Sequence, residues 1–122
     1  MAGLKALLID DEEELVSTLV ERLGYRGITA AFALDGYEAL HKLREDKFDV
    51  VVLDLKMPGM DGVEILRRIN STYPDLPVLL ITGHGSLANE MEDMPEGAHD
   101  YLMKPVDLET LIAKMQEAVA AK

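Results

Sequence analysis

The chain has 122 residues, 48% hydrophobic and 29% charged, with no cysteine and a formal net charge of −11. That length and composition suit one folded domain and exclude a disordered or repetitive chain. The acidic excess disfavours nucleic acid and anionic membranes as direct partners; no apolar run approaches the ~20 residues of a membrane span and no secretory segment follows Met1, so a cytoplasmic chain with protein or cation partners is expected.

Leu4 to Ile9 is an apolar run broken only by Lys5, and it opens into Asp10-Asp11-Glu12-Glu13-Glu14. From Glu12 to Leu23 the apolar positions Leu15, Val16, Leu19, Val20 and Leu23 recur at helical spacing, and Gly24 is the expected stop. Carboxylates near a helix N-terminus complement its dipole and free amides, which accounts for Glu12 to Glu14. It accounts less well for Asp10 and Asp11, which lie at the C-terminal end of the first strand.

Gly27 to Ala33 reads as a weaker outer strand, with Ile28, Ala30, Phe32 and Leu34 alternating with smaller residues. Asp35 and Gly36 open a helix with Ala39, Leu40 and Leu43 inward and His41, Lys42, Arg44 and Glu45 in solvent. Phe48 to Leu53 forms the central strand, whose continuous apolar run from Val50 fits burial on both faces. It delivers Asp54 to its C-terminal end, and Pro58-Gly59 and Asp61-Gly62 are expected to turn the chain behind it. An aspartate in that position can simply end a strand, or it can be a site residue at the edge where open α/β sheets bind ligands. A third helix follows, with Val63, Leu66 and Ile69 inward and Arg67 and Arg68 outward, ended by Asn70-Ser71-Thr72-Tyr73-Pro74.

Val78 to Ile81 is a second uninterrupted apolar strand, closed by Thr82-Gly83-His84-Gly85. Ser86 to Met94 is expected to be a short, mobile helix: Asn89 is a poor helix former, Pro95 blocks extension, and the inward stripe of Leu87, Met91 and Met94 is thin. Gly97 to Met103 reads as a fifth strand running into Lys104-Pro105. Asp107 is the expected N-cap of a last helix with the stripe Leu108, Leu111, Ile112, Met115 and Val119.

Strand and helix alternating five times imply a doubly wound α/β fold, (βα)5, with a five-stranded parallel sheet, right-handed crossovers and helices on both faces. The two richest apolar runs belong in the middle of the sheet. The strand order 2-1-3-4-5 is carried over from the flavodoxin-like fold.

A parallel sheet brings every strand C-terminus to one edge, and with them Asp10, Asp11, Asp54, Thr82 and Lys104. Three carboxylates against one ammonium leave a local charge of about −2, which a divalent cation or a proton would relieve. Oxygen ligands select a hard ion, and Mg²⁺ fits because it takes one or two carboxylates, keeps several waters and can bind a phosphoryl oxygen. The expected substrate is then a phosphoryl group, attacked in line by Asp54, its charge neutralised by Mg²⁺ and Lys104, with Thr82 donating a hydrogen bond to the product.

Together these residues resemble the receiver domain of two-component response regulators, over essentially the whole of residues 1–122 as one domain. The resemblance rests on the Asp10-Asp11 pair, Asp54 with Met57-Pro58-Gly59-Met60-Asp61-Gly62, Thr82-Gly83, Gly97-Ala98 and Lys104-Pro105. It implies that Asp54 accepts a phosphoryl group from a sensor histidine kinase or histidine phosphotransfer protein, and that Asp10 and Asp11 surround Mg²⁺ with the backbone carbonyl of Lys56 as a further ligand. Lys104 then binds phosphate and is followed by a cis bond to Pro105. Thr82 and Tyr101 are the implied switch pair: phosphorylation draws Thr82 inward, Tyr101 turns into the vacated space, and the face of the fourth helix, fifth strand and fifth helix changes.

The resemblance also implies a signalling switch that promotes its own aspartyl phosphorylation and dephosphorylation, not an enzyme. Its implied partners are a downstream effector domain or protein and, when phosphorylated, a second copy. The run Thr82-Gly83-His84-Gly85-Ser86 is similar to receivers linked to transcriptional activators or histidine kinases. Three other classes stay in view. A carboxylate-nucleophile phosphatase would want a second acid where Lys56 stands; a flavodoxin-type electron carrier would want a Ser/Thr/Gly-rich loop in place of Asp10 to Glu14; a degenerate receiver acting only as a binding module would not need the acids, threonine and lysine all kept here. The chain is read either as a stand-alone phosphoryl relay or adaptor or as a receiver cut from a longer protein.

Overall fold

The structure is a computed structural model in which residues 3–55, 57, 61–83 and 95–121 are described. The helix expected over Ser86 to Met94, the turn at Pro58-Gly59 and the carbonyl of Lys56 lie outside the described residues. Five strands, β1 (Lys5–Ile9), β2 (Thr29–Ala33), β3 (Val50–Asp54), β4 (Val78–Thr82) and β5 (Asp100–Met103), pair in parallel in the order β2-β1-β3-β4-β5. Between and after them run α1 (Glu13–Tyr25), α2 (Gly36–Glu45), α3 (Gly62–Thr72) and a last helix (Leu108–Ala120). Among the described residues no helix is long and apolar enough to cross a membrane.

The sheet is coated on both faces, so β3 and β4 are buried at every position and carry continuous apolar sequence. On one face Ala6, Leu8, Val50, Val52, Leu79 and Ile81 pack against Val16, Leu19 and Leu23 of α1 and Leu111, Met115 and Ala118 of the last helix. On the other, Leu7, Ile9, Val51, Leu53, Val78 and Leu80 pack against Ala39 and Leu43 of α2 and Ile65, Leu66 and Ile69 of α3.

Local chemistry sets the helix ends and corrects several expected boundaries. Helix α1 runs through Gly24; it stops at Gly27, whose φ of +81° is left-handed. There the Gly27 N–H donates to Gly24 O and the Ile28 N–H to Leu23 O, the pair of bonds that closes a helix on a glycine, with Ile28 and Leu23 both buried behind them. Leu15, expected inward, is exposed on α1. On α3 the inward stripe is Gly62, Ile65, Leu66 and Ile69, while Val63 is 43% exposed. The spacing i, i+3, i+4, i+7 describes that stripe, and Val63 falls off it. Strand β5 begins only at Asp100, and Gly97, expected to open it, sits at φ +99°, outside extended geometry. Asp107 caps the last helix as expected, accepting from the Thr110 N–H at 3.0 Å.

Asp61-Gly62 is no turn. Asp61 is the N-cap of α3, accepting from the Val63 N–H at 3.2 Å, and Gly62 is the first helical residue. A glycine is needed there because a Cβ would stand 2.7 Å from the Leu55 carbonyl oxygen and 2.8 Å from the Leu55 Cα, in the strand exit directly after Asp54. The obstructing atoms are backbone, so Gly62→Ala should incur a cost toward the upper end of the ~1–3 kcal/mol of overpacking, outweighing the ~1 kcal/mol that alanine gains over glycine inside a helix. Urea unfolding should therefore show a lowered midpoint with an unchanged slope; a midpoint at or above that of the parent chain contradicts this contact.

Candidate functional site

The C-terminal edge of the sheet carries the chain's buried polar side chains among the described residues, Asp10, Asp54 and Thr82. Each is delivered by a strand end. Asp54 is the last residue of β3 and Thr82 the last of β4; Asp10 follows β1 and Lys104 follows β5. Backbone bonds extend the ladder just past the strands: the Asp10 N–H donates to Ala33 O at 3.0 Å, Leu55 N–H to Ile81 O at 3.1 Å, and Lys104 N–H to Thr82 O at 2.9 Å. The positions of these side chains are therefore fixed by main-chain pairing. The Lys104–Pro105 peptide bond is cis.

Lys104 is the cation of this edge among the described residues. Its Nζ lies 3.0 Å from Asp54 Oδ2, 3.4 Å from Asp10 Oδ2 and 2.6 Å from Glu12 Oε1. Asp10 is oriented from its other oxygen, Oδ1, which accepts from the Glu12 N–H at 2.9 Å. Burial raises the Asp10 carboxyl above the usual carboxylate range, and the neighbouring Asp54 charge pushes the same way, against the Glu12 N–H and Lys104. Burial opposes charge on Lys104 too, but its bonds to Glu12 and Asp54 outweigh it and raise the ammonium, which stays protonated.

One carboxylate oxygen from each of Asp10, Glu12 and Asp54 lies within 4.8 Å of the others, so this trio could hold a metal ion. All three donors are hard oxygens, a set suited to Mg²⁺ or Ca²⁺ and poor for thiophilic metals. Among the described residues three carboxylates face one ammonium, the count expected from sequence but with a different third acid. Asp11 is exposed and stands outside the trio. Glu12, assigned from sequence only to the helix dipole, joins it instead. The signal was available in the acid run, which continues past the strand end, but a run of carboxylates does not say which of them turns inward.

Thr82 Oγ1 is buried and has no hydrogen-bond partner among the described residues. A buried hydroxyl left in that state is unusual and costs free energy unless a ligand engages it. Tyr101 is half-buried on β5 and packs on the α2/α3 side of the sheet. Leu80 pairs with Tyr101 and Thr82 with Met103, so the pleat puts Thr82 and Tyr101 on the same face of neighbouring strands.

Fold and site together define a doubly wound α/β protein whose strand C-termini gather an acidic trio that could hold a cation. The chain belongs to the response regulator receiver domain family of two-component systems, whose sequence model matches residues 6–116. It is 39% identical over 114 residues to the response regulator MprA of Mycobacterium ulcerans, a match covering 93% of this chain and 49% of that protein. The chain thus spans about half the length of the curated relatives it matches. Among solved structures it superimposes on a response regulator receiver domain protein from Clostridium thermocellum with a TM-score of 0.87 at 36% identity, covering 99% of this chain and 96% of that one. The receiver domain of NtrX from Brucella abortus gives a TM-score of 0.87 at 28% identity, covering 96% of this chain and 99% of that one.

Because Lys104 is the cation that Asp10, Glu12 and Asp54 share, Lys104→Ala should destabilise the chain by about 1.5–3 kcal/mol, the scale of hydrogen bonds to charged groups. Thermal or urea unfolding in chelator should show that loss, and a divalent cation should recover part of it. Unchanged stability in chelator would mean that the carboxylates do not depend on Lys104.

Proposed function

We propose that residues 1–122 form one receiver domain that takes a phosphoryl group onto Asp54 from a sensor histidine kinase or histidine phosphotransfer protein. The observation that carries this is the Asp54 carboxylate: 2% exposed, at the end of the central strand, 3.0 Å from Lys104 Nζ, on the edge where the buried hydroxyl of Thr82 lacks a partner among the described residues. An Asp54 oxygen would attack phosphorus as the P–N bond of the phosphohistidine donor breaks, the electron pair leaving with the imidazole. Lys104 would accompany the negative charge throughout, and Thr82 Oγ1 would donate its hydrogen bond to a phosphoryl oxygen. The oxygen donors fit Mg²⁺, which would be held by Asp10, Asp11 and Asp54 with the Lys56 carbonyl, and which supplies charge neutralisation when bound. Glu12 is a further candidate ligand, by its place in the acidic trio.

The output follows from the same residues. Thr82, engaged by the phosphoryl group, would shift toward it, and Tyr101 on the same pleat face would turn into the space left behind. The change would reach the face made by β5, the last helix and the segment between β4 and β5, where an effector domain or protein, or a second phosphorylated copy, would respond. In this account the chain is a cytoplasmic switch that promotes its own phosphorylation and dephosphorylation, and it acts on no other substrate.

Incubation with a phosphohistidine donor or a small acyl phosphate should label the parent chain only when Mg²⁺ is present, and Asp54→Asn should abolish the label. Labelling that persists in chelator, or undiminished in Asp54→Asn, overturns the assignment, and no labelling of the parent chain returns it to the class of binding modules.

A further inference from the structure

We propose that the groove between α2 and α3 is a docking site for a short acidic segment of a partner protein, one that carries carboxylates beside an apolar side chain. The groove encloses about 510 Å³ and is lined by Leu40 and Arg44 from α2, by Glu64, Arg67 and Arg68 from α3, and by Tyr73 beyond it. It is separate from the strand C-terminal edge, and the proposal does not rest on the phosphoryl chemistry.

Charge is the first observation. The chain has a net charge of −11 and only five arginines, yet three of them line this one groove against a single carboxylate. The pattern comes from helical spacing: Leu40 and Arg44 are four apart on α2, and Glu64, Arg67 and Arg68 are three and four apart on α3. Four of the other cations are already paired with acids, Lys5 with Asp46, Arg26 with Glu109, Lys114 with Asp100 and Lys104 with the site carboxylates. Arg44 is exposed and has no ion pair among the described residues.

Preorganisation is the second. Glu64 accepts from Arg67 Nη2 and, at 2.9 Å, from Arg68 Nε, and so holds both guanidinia at the groove. Each guanidinium has five N–H donors in a fork matched to a carboxylate, so one bond to Glu64 leaves most of them for a ligand. The side chains of Arg67 and Arg68 are 74% and 51% exposed against 31% for Glu64, which places the open donors outward and the neutralising acid beneath them. Leu40 and Tyr73 are half-buried on the α2/α3 core and give the floor an apolar surface.

The occupant is a short peptide segment by the same charge argument. A nucleic acid long enough to bind by phosphate contacts would run off this patch onto an acidic surface, whereas a few carboxylates can be satisfied within the groove.

The test is a titration of the 122-residue chain into a fluorescein-labelled decapeptide that alternates acidic pairs with leucine, and into its counterpart with Gln and Asn for the acids. Saturable binding of the acidic peptide is expected, weaker as salt shortens the screening length from about 30 Å at 0.01 M to about 10 Å at 0.1 M. The neutral counterpart and the double variant Arg44→Gln/Arg67→Gln should each bind about tenfold more weakly or worse, while Arg26→Gln, at the end of α1, should bind as the parent does. Amide shift changes in the parent chain should cluster at residues 40–44 and 64–73. This map decides the matter if the double variant fails to fold. The proposal is overturned by no saturable binding, by equal binding of the neutral peptide or of the folded double variant, by loss of binding in Arg26→Gln, by shift changes elsewhere, or by an oligodeoxynucleotide of equal charge displacing the peptide.

Discussion

Two buried carboxylates, Asp10 and Asp54, stand with Glu12 at one end of an otherwise apolar sheet, and everything at that end is arranged around their mutual repulsion. Two unit charges within 4.8 Å repel by roughly 3–4 kcal/mol at an effective dielectric of about 20. Among the described residues the fold answers with one ammonium. Lys104 reaches Asp54, Asp10 and Glu12 at once, and its backbone N–H is pinned to Thr82 O, so the compensating charge is positioned by the sheet itself. Burial, with the Asp54 charge beside it, still holds the Asp10 carboxyl above its ordinary range, and the acidic trio at this edge could hold a cation.

The rest of the molecule keeps that edge rigid. Strands β3 and β4, buried on both faces, cannot slip by one residue without exchanging every side chain between the two cores, so Asp54 and Thr82 stay at the strand ends. Helix α3 begins in backbone contact with Leu55, immediately after Asp54, and only a glycine at position 62 permits that approach. The same helix then carries Arg67 and Arg68 to the groove on its far side, so the strand exit beside Asp54 and the arginine groove share one rigid element.

Much of this was legible from residue order alone, for a physical reason. A parallel sheet forces its strand C-termini to one edge, so Asp10, Asp54, Thr82 and Lys104 could be placed together once the alternation of strands and helices was seen. Continuous apolar runs located β4 to within a residue and β3, expected from Phe48 to Leu53, to within two. The helix faces were harder. Val63, Ile65, Leu66 and Ile69 offer two overlapping stripes, and the close seat of Gly62 on Leu55 selected the one that turns Val63 to solvent. Gly24 looked like a stop, but the helix ends where a positive φ is required, at Gly27. Glu12 was hidden because five consecutive acids look alike in sequence, and its role depends on a lysine 92 positions away. The arginine groove was illegible in the same way: Arg44 and Arg67 read as two solvated helix faces until α2 and α3 are packed side by side.

The central claim is that the carboxylate at the end of β3 is the atom group that carries the phosphoryl. Borohydride reduction of the phosphorylated chain converts an acyl phosphate to an alcohol and marks its position permanently, and tandem mass spectrometry of the digested chain then locates it. The account predicts homoserine at position 54 and at no other aspartate. Reduction at Asp10 or Asp11, or an unmarked Asp54 in a chain that has taken up phosphate, would contradict it.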